Sequence, residues 1–185
     1  ANIQALRNAL IERGMAVVGD YNKADYAILF CDPNSGAYFS ATAGYLELDI
    51  CDGKVVTDVD TETGVPVDTT HTETTMVGAN KIPVIAEAVH ANGGKVIANI
   101  DFSLAFMPGN VEPYVDALLG GFDTFTDATI DIIVGAYNPT GVLPLTLPKS
   151  DAVIAVDENG DCISPNDVPG YAKDQYMPEE MKDEN

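Results

Sequence analysis

A glutamate and a histidine two residues apart are the strongest candidates for chemistry in this chain. They lie in residues 70–78, which read THTETTMVG. A carboxyl group and an imidazole are side chains that transfer protons readily near neutral pH. The threonines beside Glu73 could hydrogen-bond its carboxylate, and His71 could tune that carboxylate or bind a ligand hydroxyl. The alternative is a solvated loop in which neither residue has a role.

A second candidate site is the loop over residues 32–38, DPNSGAY. It follows the apolar run 26–31, YAILFC, which has the length and composition of a parallel strand buried on both faces. Ligands of open α/β sheets bind at the carboxyl ends of such strands. Asn34 and Ser35 offer hydrogen-bonding groups there, and Tyr38 offers an aromatic platform. The alternative is a turn followed by core aromatic residues.

The elements that must position these residues follow from apolar periodicity. Spacing of three and four residues predicts helices, and short continuous or alternating apolar runs predict strands. Helices that alternate with apolar strands predict an α/β fold, with a mostly parallel sheet sandwiched by helices. The predicted helices cover residues 2–13, 80–92 and 127–137, and the predicted strands cover residues 15–18, 26–31, 95–100, 117–122 and 143–147.

Residues 37–79 do not have the pattern of core elements. Alternation predicts a β-hairpin insertion that pairs residues 45–50 with residues 55–59, with Asp52-Gly53 at its tip. A loop rich in Thr, Asp and Glu follows over residues 61–77, and so long a loop is typically functional or disordered. The α/β sandwich domain therefore covers residues 1–150, and a second hairpin with an irregular C-terminal tail covers residues 151–185.

Composition excludes several classes of function. The net charge of −20 argues against nucleic acid and against anionic membrane surfaces, and no apolar run approaches the length of a membrane span. Cys31, Cys51 and Cys162 have no metal-ligand spacing and are interpreted as small buried hydrophobes. Asp58, Asp60 and Glu62 do not satisfy the rule for a calcium loop. Phosphate-binding glycine loops and serine nucleophile elbows are absent from the sequence.

One segment carries a family resemblance. Residues 135–148, GAYNPTGVLPLTLP, resemble the G-x-Y-N-P-S-G-x-L-P-x-T-x-P segment of glycoside hydrolase family 3, the β-glucosidase and exo-glucanase family. The order of elements from Asp25 to Ser150 is also similar to that family's second domain, an α/β sandwich beside a catalytic barrel. Thr72-Glu73-Thr74 resembles the T-E-T of plant exo-glucanase-like members, which implies that Glu73 is the general acid/base.

The resemblance implies retaining hydrolysis of a β-glycoside without a metal or organic cofactor. Glu73 would protonate the leaving oxygen and then activate water, and His71, Asn34, Ser35 and Tyr38 would face the sugar. The nucleophile is an aspartate of the barrel, so this chain alone is expected to be inactive. The family's domain also opens with a strand and a helix ahead of the position of Asn2. Either a preceding segment was removed, or another chain supplies that strand.

Two other classes of function stay open at the level of sequence. A non-catalytic sugar-binding or structural module would need no catalytic glutamate. A flavodoxin-like ligand-binding domain would share the architecture but not the segment over residues 138–148. The sequence also leaves open the sugar, the linkage, the compartment (cytoplasmic or secreted) and the formation of a homo-oligomer. The barrel partner could belong to the same enzyme or to another chain.

Overall fold

The computed structural model describes residues 3–35, 47–60, 63, 65–141, 143, 147–148 and 170–171. Within them the chain forms three helices and seven strands, joined by loops and short 3₁₀ turns. The helices are α1 (Ile3–Glu12), α2 (Ile82–Ala91) and α3 (Thr126–Ile133). The strands are β1 (Tyr26–Cys31), β2 (Asp52–Val59), β3 (Pro66–Thr74), β4 (Lys95–Asp101), β5 (Ala117–Gly121), β6 (Leu147–Pro148) and β7 (Gly170–Tyr171).

A parallel sheet with the order β1-β4-β5 forms the centre of the fold. β4 pairs with both neighbours, so that Ile97 lies beside Ile28 of β1 and Ala98 beside Leu118 of β5. Parallel neighbours require crossover connections, which α2 and the adjoining turns provide. The predicted α/β class, with a mostly parallel sheet, helices and a hairpin insertion, is confirmed.

The two faces of this sheet are unequally buried. Val96, Ala98 and Ile100 of β4 are completely buried, whereas Ile97 and Asn99 between them are only half-buried. Successive side chains of a strand point to opposite faces, so the main core lies on one face only. The sequence predicted burial on both faces. The principal core cluster contains Cys31, Ile50, Ala79, Ile82, Ala98, Ile100, Phe102, Phe106, Val111 and Leu147.

Helix α2 packs against this buried face, as the apolar spacing predicted. Ile82, Ala86 and Val89 are buried, and Ile85 is half-buried. Gly93, with a φ of 77°, follows the helix in the left-handed conformation that glycine adopts without steric cost. The predicted helix and its glycine stop are therefore confirmed.

Helix α3 ends earlier than the sequence predicted. The predicted stop was the Asn-Pro-Thr-Gly turn at residues 138–141, with Tyr137 still in the helix. Instead Gly135 adopts a φ of 75°, and the N–H of Ala136 donates to the carbonyl of Asp131 at 2.8 Å. These are the features of a Schellman motif, which closes a helix at a left-handed residue. Tyr137 therefore lies beyond the helix and is exposed.

Arg13, the residue after helix α1, forms ion pairs with α3. Arg13 Nε lies 2.7 Å from Asp131 Oδ1, and Arg13 Nη2 lies 3.3 Å from Asp127 Oδ1. Both aspartates belong to α3. The predicted apolar stripe of α1 is only partly covered, because Ile3 is 81% exposed while Leu10 is half-buried.

The hairpin insertion exists, but its predicted register was wrong. β2 pairs with β3, and the Asp52-Gly53 pair stands at the start of β2 rather than at the tip. Asp52 Oδ2 accepts a hydrogen bond of 2.7 Å from the N–H of Gly78, which holds Asp52 at the base of the hairpin. The far end of the hairpin is closed instead by a hydrogen bond of 2.8 Å from the N–H of Asp60 to the carbonyl of Val65. The loop predicted over residues 61–77 is thus largely strand β3.

The remaining sequence predictions have mixed outcomes. Residues 15–18 are not a strand. Of the predicted strand over residues 143–147, Leu147 belongs to β6, which pairs antiparallel with β7, and residues 144–146 lie outside the described residues. The hairpin predicted around Asn159-Gly160, and Cys162, lie outside the described residues. Within the described part of the chain, none of the helices is long and apolar enough to cross a bilayer.

Cys31 and Cys51 are buried free thiols, as predicted. Burial raises the pKa of Cys31 to about 11, because an apolar surrounding disfavours the thiolate. Neither cysteine is therefore activated for nucleophilic chemistry.

Candidate active site

The hairpin of β2 and β3 begins at the carboxyl edge of the parallel sheet. The carbonyl of Thr75, which follows β3, accepts a hydrogen bond of 2.7 Å from the N–H of Asn34 in the loop after β1. The hydroxyl of Thr75 donates to the carbonyl of Asp49 at 2.6 Å and accepts from the N–H of Cys51 at 3.0 Å. These bonds fix the base of the hairpin at the edge where ligands of open α/β sheets bind.

One face of the hairpin carries the charged residues. Lys54 lies opposite Glu73, and Val56 lies opposite His71. Asp58, two residues after Val56, shares this face because strand side chains alternate. The side chain of Glu73 is 16% exposed, and that of Asp58 is 21% exposed. This face is therefore partly shielded from water and still accessible.

The opposite face carries the threonines. Thr70, Thr72 and Thr74 alternate with His71 and Glu73 and are exposed. Thr74 Oγ1 accepts a hydrogen bond of 2.9 Å from the N–H of Gly53, not from the acidic side chain beside it. The sequence predicted that the threonines beside Glu73 could hydrogen-bond its carboxylate. Strand geometry instead directs them to the other side.

His71 bridges two carboxylates. Its Nε2 lies 2.8 Å from Oε1 of Glu73, and its Nδ1 lies 2.5 Å from Oδ1 of Asp58. A neutral imidazole has a single N–H, so its second nitrogen would present a lone pair to a carboxylate oxygen. Only the imidazolium donates at both nitrogens. We refer to Asp58, His71 and Glu73 as the carboxylate–imidazole array.

The electrostatics of the array agree with this geometry. Hydrogen bonds to Asp58, then to Glu73, raise the pKa of His71 above its ordinary value. A hydrogen bond from Thr69, then one from His71, lowers the pKa of Asp58. An opposite charge and a hydrogen bond both favour the charged form of a group, which explains the two directions.

A second charged cluster lies beside the array. The side chain of Glu47 is only 1% exposed, and Lys54 Nζ lies 3.0 Å from its Oε1 and 2.9 Å from its Oε2. Lys54 Nζ also lies 2.5 Å from Asp49 Oδ2. A buried carboxylate requires such a partner. Lys54 is thereby held on the strand position opposite Glu73.

The sequence predicted Glu73 and His71 as candidate site residues. It did not predict that their neighbours are Asp58, Lys54 and Glu47. The register shifts between Thr57 and Val59, which interrupts regular pairing next to Asp58. Bulges redirect side chains and are common beside functional sites. Period-two alternation could have placed Lys54, Asp58, His71 and Glu73 on one face, if the tip of the hairpin had been assigned correctly.

The loop after β1 contributes less than the sequence predicted. Ser35 is 2% exposed, and its hydroxyl has no hydrogen-bond partner among the described residues. Asn34 is exposed, and its backbone binds the hairpin base. Tyr38 lies outside the described residues. Of the three predicted sugar-facing residues of this loop, Asn34 is the one whose side chain the structure places at the surface.

A cavity of about 340 Å³ lies away from the array, next to β5. Its lining is mostly apolar, with Phe102 and Phe122 forming a tilted pair whose ring centres are 5.9 Å apart. The cavity is also lined by Pro139, Gly141 and Leu143, which belong to residues 135–148. None of its lining residues is charged, so this cavity offers no ionisable side chain for proton transfer.

The residues described here do not include a group of three or more His, Cys, Asp or Glu side chains arranged to hold a metal ion. No family model, curated protein or solved structure matches the chain.

Proposed function

We propose that this chain is the second domain of a retaining β-glycoside hydrolase resembling glycoside hydrolase family 3. In this proposal it supplies Glu73 as general acid/base to a barrel domain that carries an aspartate nucleophile. The observation that carries the proposal is the array itself. A partly accessible carboxylate, bound to an imidazole, stands on a hairpin whose base is bonded to the carboxyl edge of a parallel sheet.

The proposed reaction has two displacement steps. In the first, the barrel aspartate bonds to the anomeric carbon as the glycosidic C–O bond breaks, and Glu73 gives its proton to the leaving oxygen. In the second, Glu73 takes a proton from water while the water oxygen bonds to the anomeric carbon and the aspartate departs. Retaining enzymes place their two carboxyl groups about 5 Å apart, so Glu73 would have to face the barrel closely.

Two features of the structure support a role in partnership with another domain. The hairpin pairs its two strands with each other and not with the parallel sheet, so it extends as a separate element. The array stands on one of its faces, next to the sheet edge at which open α/β folds bind ligands. A carboxylate in this position can be presented to a neighbouring domain without rearrangement of the core.

Reconstitution tests the proposal. The chain is mixed with a family 3 barrel domain, and release of the aryl group from an aryl β-glucoside is followed. We expect no turnover by the chain alone and turnover by the mixture. Glu73→Gln should reduce kcat/KM of the mixture by about 10²–10⁴-fold, because general acid–base catalysis contributes that much. Glu87→Gln, at an exposed position of α2, is the matched control and should leave turnover unchanged.

The alternatives predict other outcomes of the same assay. Turnover that is restored but indifferent to Glu73→Gln would make the chain a scaffold or sugar-binding module. A mixture without turnover, together with binding of flavin or phosphate by the chain, would favour a flavodoxin-like domain.

A further inference from the structure

His71 stands between the proposed acid/base and a second carboxylate, which suggests a function beyond that of Glu73 alone. Its two ring nitrogens are both occupied, by Glu73 at 2.8 Å and by Asp58 at 2.5 Å. The ring therefore has no nitrogen left for a sugar hydroxyl in this arrangement. Its chemistry is directed at the two carboxylates.

A carboxylate that accepts a hydrogen bond from an imidazolium is held in its ionised form. A general acid, however, must carry a proton at the start of the reaction. The array resolves this conflict if the proton is kept on the neighbouring ring. Two carboxylates sharing one imidazolium carry a net charge of −1, and the proton that bridges Glu73 and His71 belongs to the pair.

We propose that His71 is a positioning residue that holds the proton which Glu73 delivers to the leaving group, with Asp58 fixing the ring. This inference rests on the proposed function for its catalytic part. The Nε2 proton of His71 first passes to Glu73, which leaves a neutral ring beside a carboxylic acid, and Glu73 then gives a proton to the glycosidic oxygen and becomes ionised. When Glu73 later takes a proton from water, that proton returns to Nε2. The hydrolysis as a whole consumes one water and leaves the array unchanged.

Closure of a partner domain over the hairpin would drive this transfer. Burial disfavours charged forms. Removal of water therefore stabilises the neutral pair of carboxylic acid and imidazole relative to the ion pair. The side chains of His71 and Glu73 are 28% and 16% exposed, which leaves water to be displaced. Asp58 opposes the transfer, because its charge favours the imidazolium, and thereby keeps the proton on the ring until closure.

The charged groups around the ring are few among the described residues. Asp58 belongs to β2, and Glu73 belongs to β3. Lys54 of β2 lies opposite Glu73 and is itself bound by Glu47 and Asp49 from the segment before the hairpin. The two carboxylates of the array, Asp58 and Glu73, favour protonated His71 in the open chain.

Nuclear magnetic resonance of the isolated chain tests where the proton resides. The chain has two histidines, so selective ¹⁵N labelling of histidine gives two rings, and His90→Gln assigns them. We expect both nitrogens of His71 to be protonated at pH 6.5, with a titration midpoint above the ordinary imidazole value of about 6.5. Asp58→Asn should lower the midpoint, and Glu73→Gln should lower it less, because Asp58 contributes more than Glu73 to the raised pKa of His71.

Asp68→Asn is the matched control, since Asp68 is an exposed residue of β3 that alternation places on the opposite face of the hairpin. It should leave the midpoint nearly unchanged. Amide spectra of each variant show whether the hairpin remains folded. A neutral single tautomer at pH 6.5, or a midpoint indifferent to Asp58→Asn in a folded variant, overturns the inference.

The reconstituted enzyme separates this inference from the proposed function. If His71 holds the proton, the basic limb of the kcat/KM profile moves to lower pH in Asp58→Asn and in His71→Gln. If turnover requires Glu73 but the basic limb of the kcat/KM profile stays at the same pH in both Asp58→Asn and His71→Gln, the inference is contradicted. The proposed function is then left intact. Absence of any turnover contradicts the proposed function, while the titration still decides where the proton resides.

Discussion

Asp116 is the most heavily bonded carboxylate of the described chain outside the hairpin. One oxygen accepts from Lys95 Nζ at 2.8 Å, and the other accepts from the N–H of Val96 and from His90 Nε2, each at 2.8 Å. Lys95, then Val96, then His90 lower the pKa of Asp116 well below its usual range. A single side chain thereby ties the end of α2 to β4, immediately before β5 begins.

We expect Asp116→Asn to lower the free energy of unfolding at neutral pH. The folded-state pKa lies below the unfolded value of 3.8, so the charge of Asp116 stabilises the fold above about pH 4 and this contribution is lost as pH falls through the folded pKa. The difference between the wild type and Asp116→Asn in urea denaturation should therefore shrink between pH 7 and pH 3. Asp25→Asn, at an exposed aspartate, is the control; a difference independent of pH would contradict this account.

The turn between α2 and β4 shows how tightly the elements meet. A Cβ placed on Gly94 would lie 2.7 Å from Val89 Cγ1 and 2.9 Å from the carbonyl oxygens of both Ala24 and Asp25. The backbone of Gly94 thus fills the space between α2 and the start of β1. A larger residue there cannot be accommodated by a shift of one flexible side chain.

Gly94→Ala should destabilise the chain by about 1–3 kcal/mol, the usual cost of overpacking a close contact. Thermal unfolding followed by circular dichroism measures this cost. Gly19→Ala is the matched control, because a Cβ at Gly19 meets nothing within 4 Å, and it should be neutral or slightly stabilising. Equal effects of the two substitutions would show that the contact around Gly94 is unimportant.

The elements differ in how well the sequence predicted them. β1, β4 and α2 followed directly from continuous apolar runs and from a three-to-four spacing, because the local pattern of each segment agrees with its type of element in the fold. The burial of β4 did not follow, since one of its faces is only half-buried. The register of the hairpin did not follow from the sequence. Asp52-Gly53 is a good local turn signal, but the hydrogen bond from the N–H of Gly78 to Asp52 holds this pair at the base of the hairpin. The candidate site was predicted as Glu73 with His71. Its remaining members depend on that register and were not predicted.

The whole molecule carries a net charge of −20, which is self-repulsive in a compact chain. Salt screens such repulsion, with a Debye length of about 30 Å at 0.01 M and about 10 Å at 0.1 M. We expect the thermal midpoint at pH 7 to rise between 0.01 M and 0.15 M sodium chloride. Near pH 4 the carboxylates are about half protonated, so the same increment of salt should change the midpoint far less. A midpoint that falls with salt at pH 7 would indicate that attractive ion pairs dominate.

The separation of the hairpin from the parallel sheet has a consequence for how the chain can vary over evolution. β2 and β3 bond to each other, and the array uses only their side chains. A two-stranded ribbon opens locally at lower free energy than a core sheet. Substitutions in the ribbon can therefore weaken, retune or abolish the proposed proton transfer while the rest of the fold persists. Selection on reactivity and selection on folding can act on this chain almost independently.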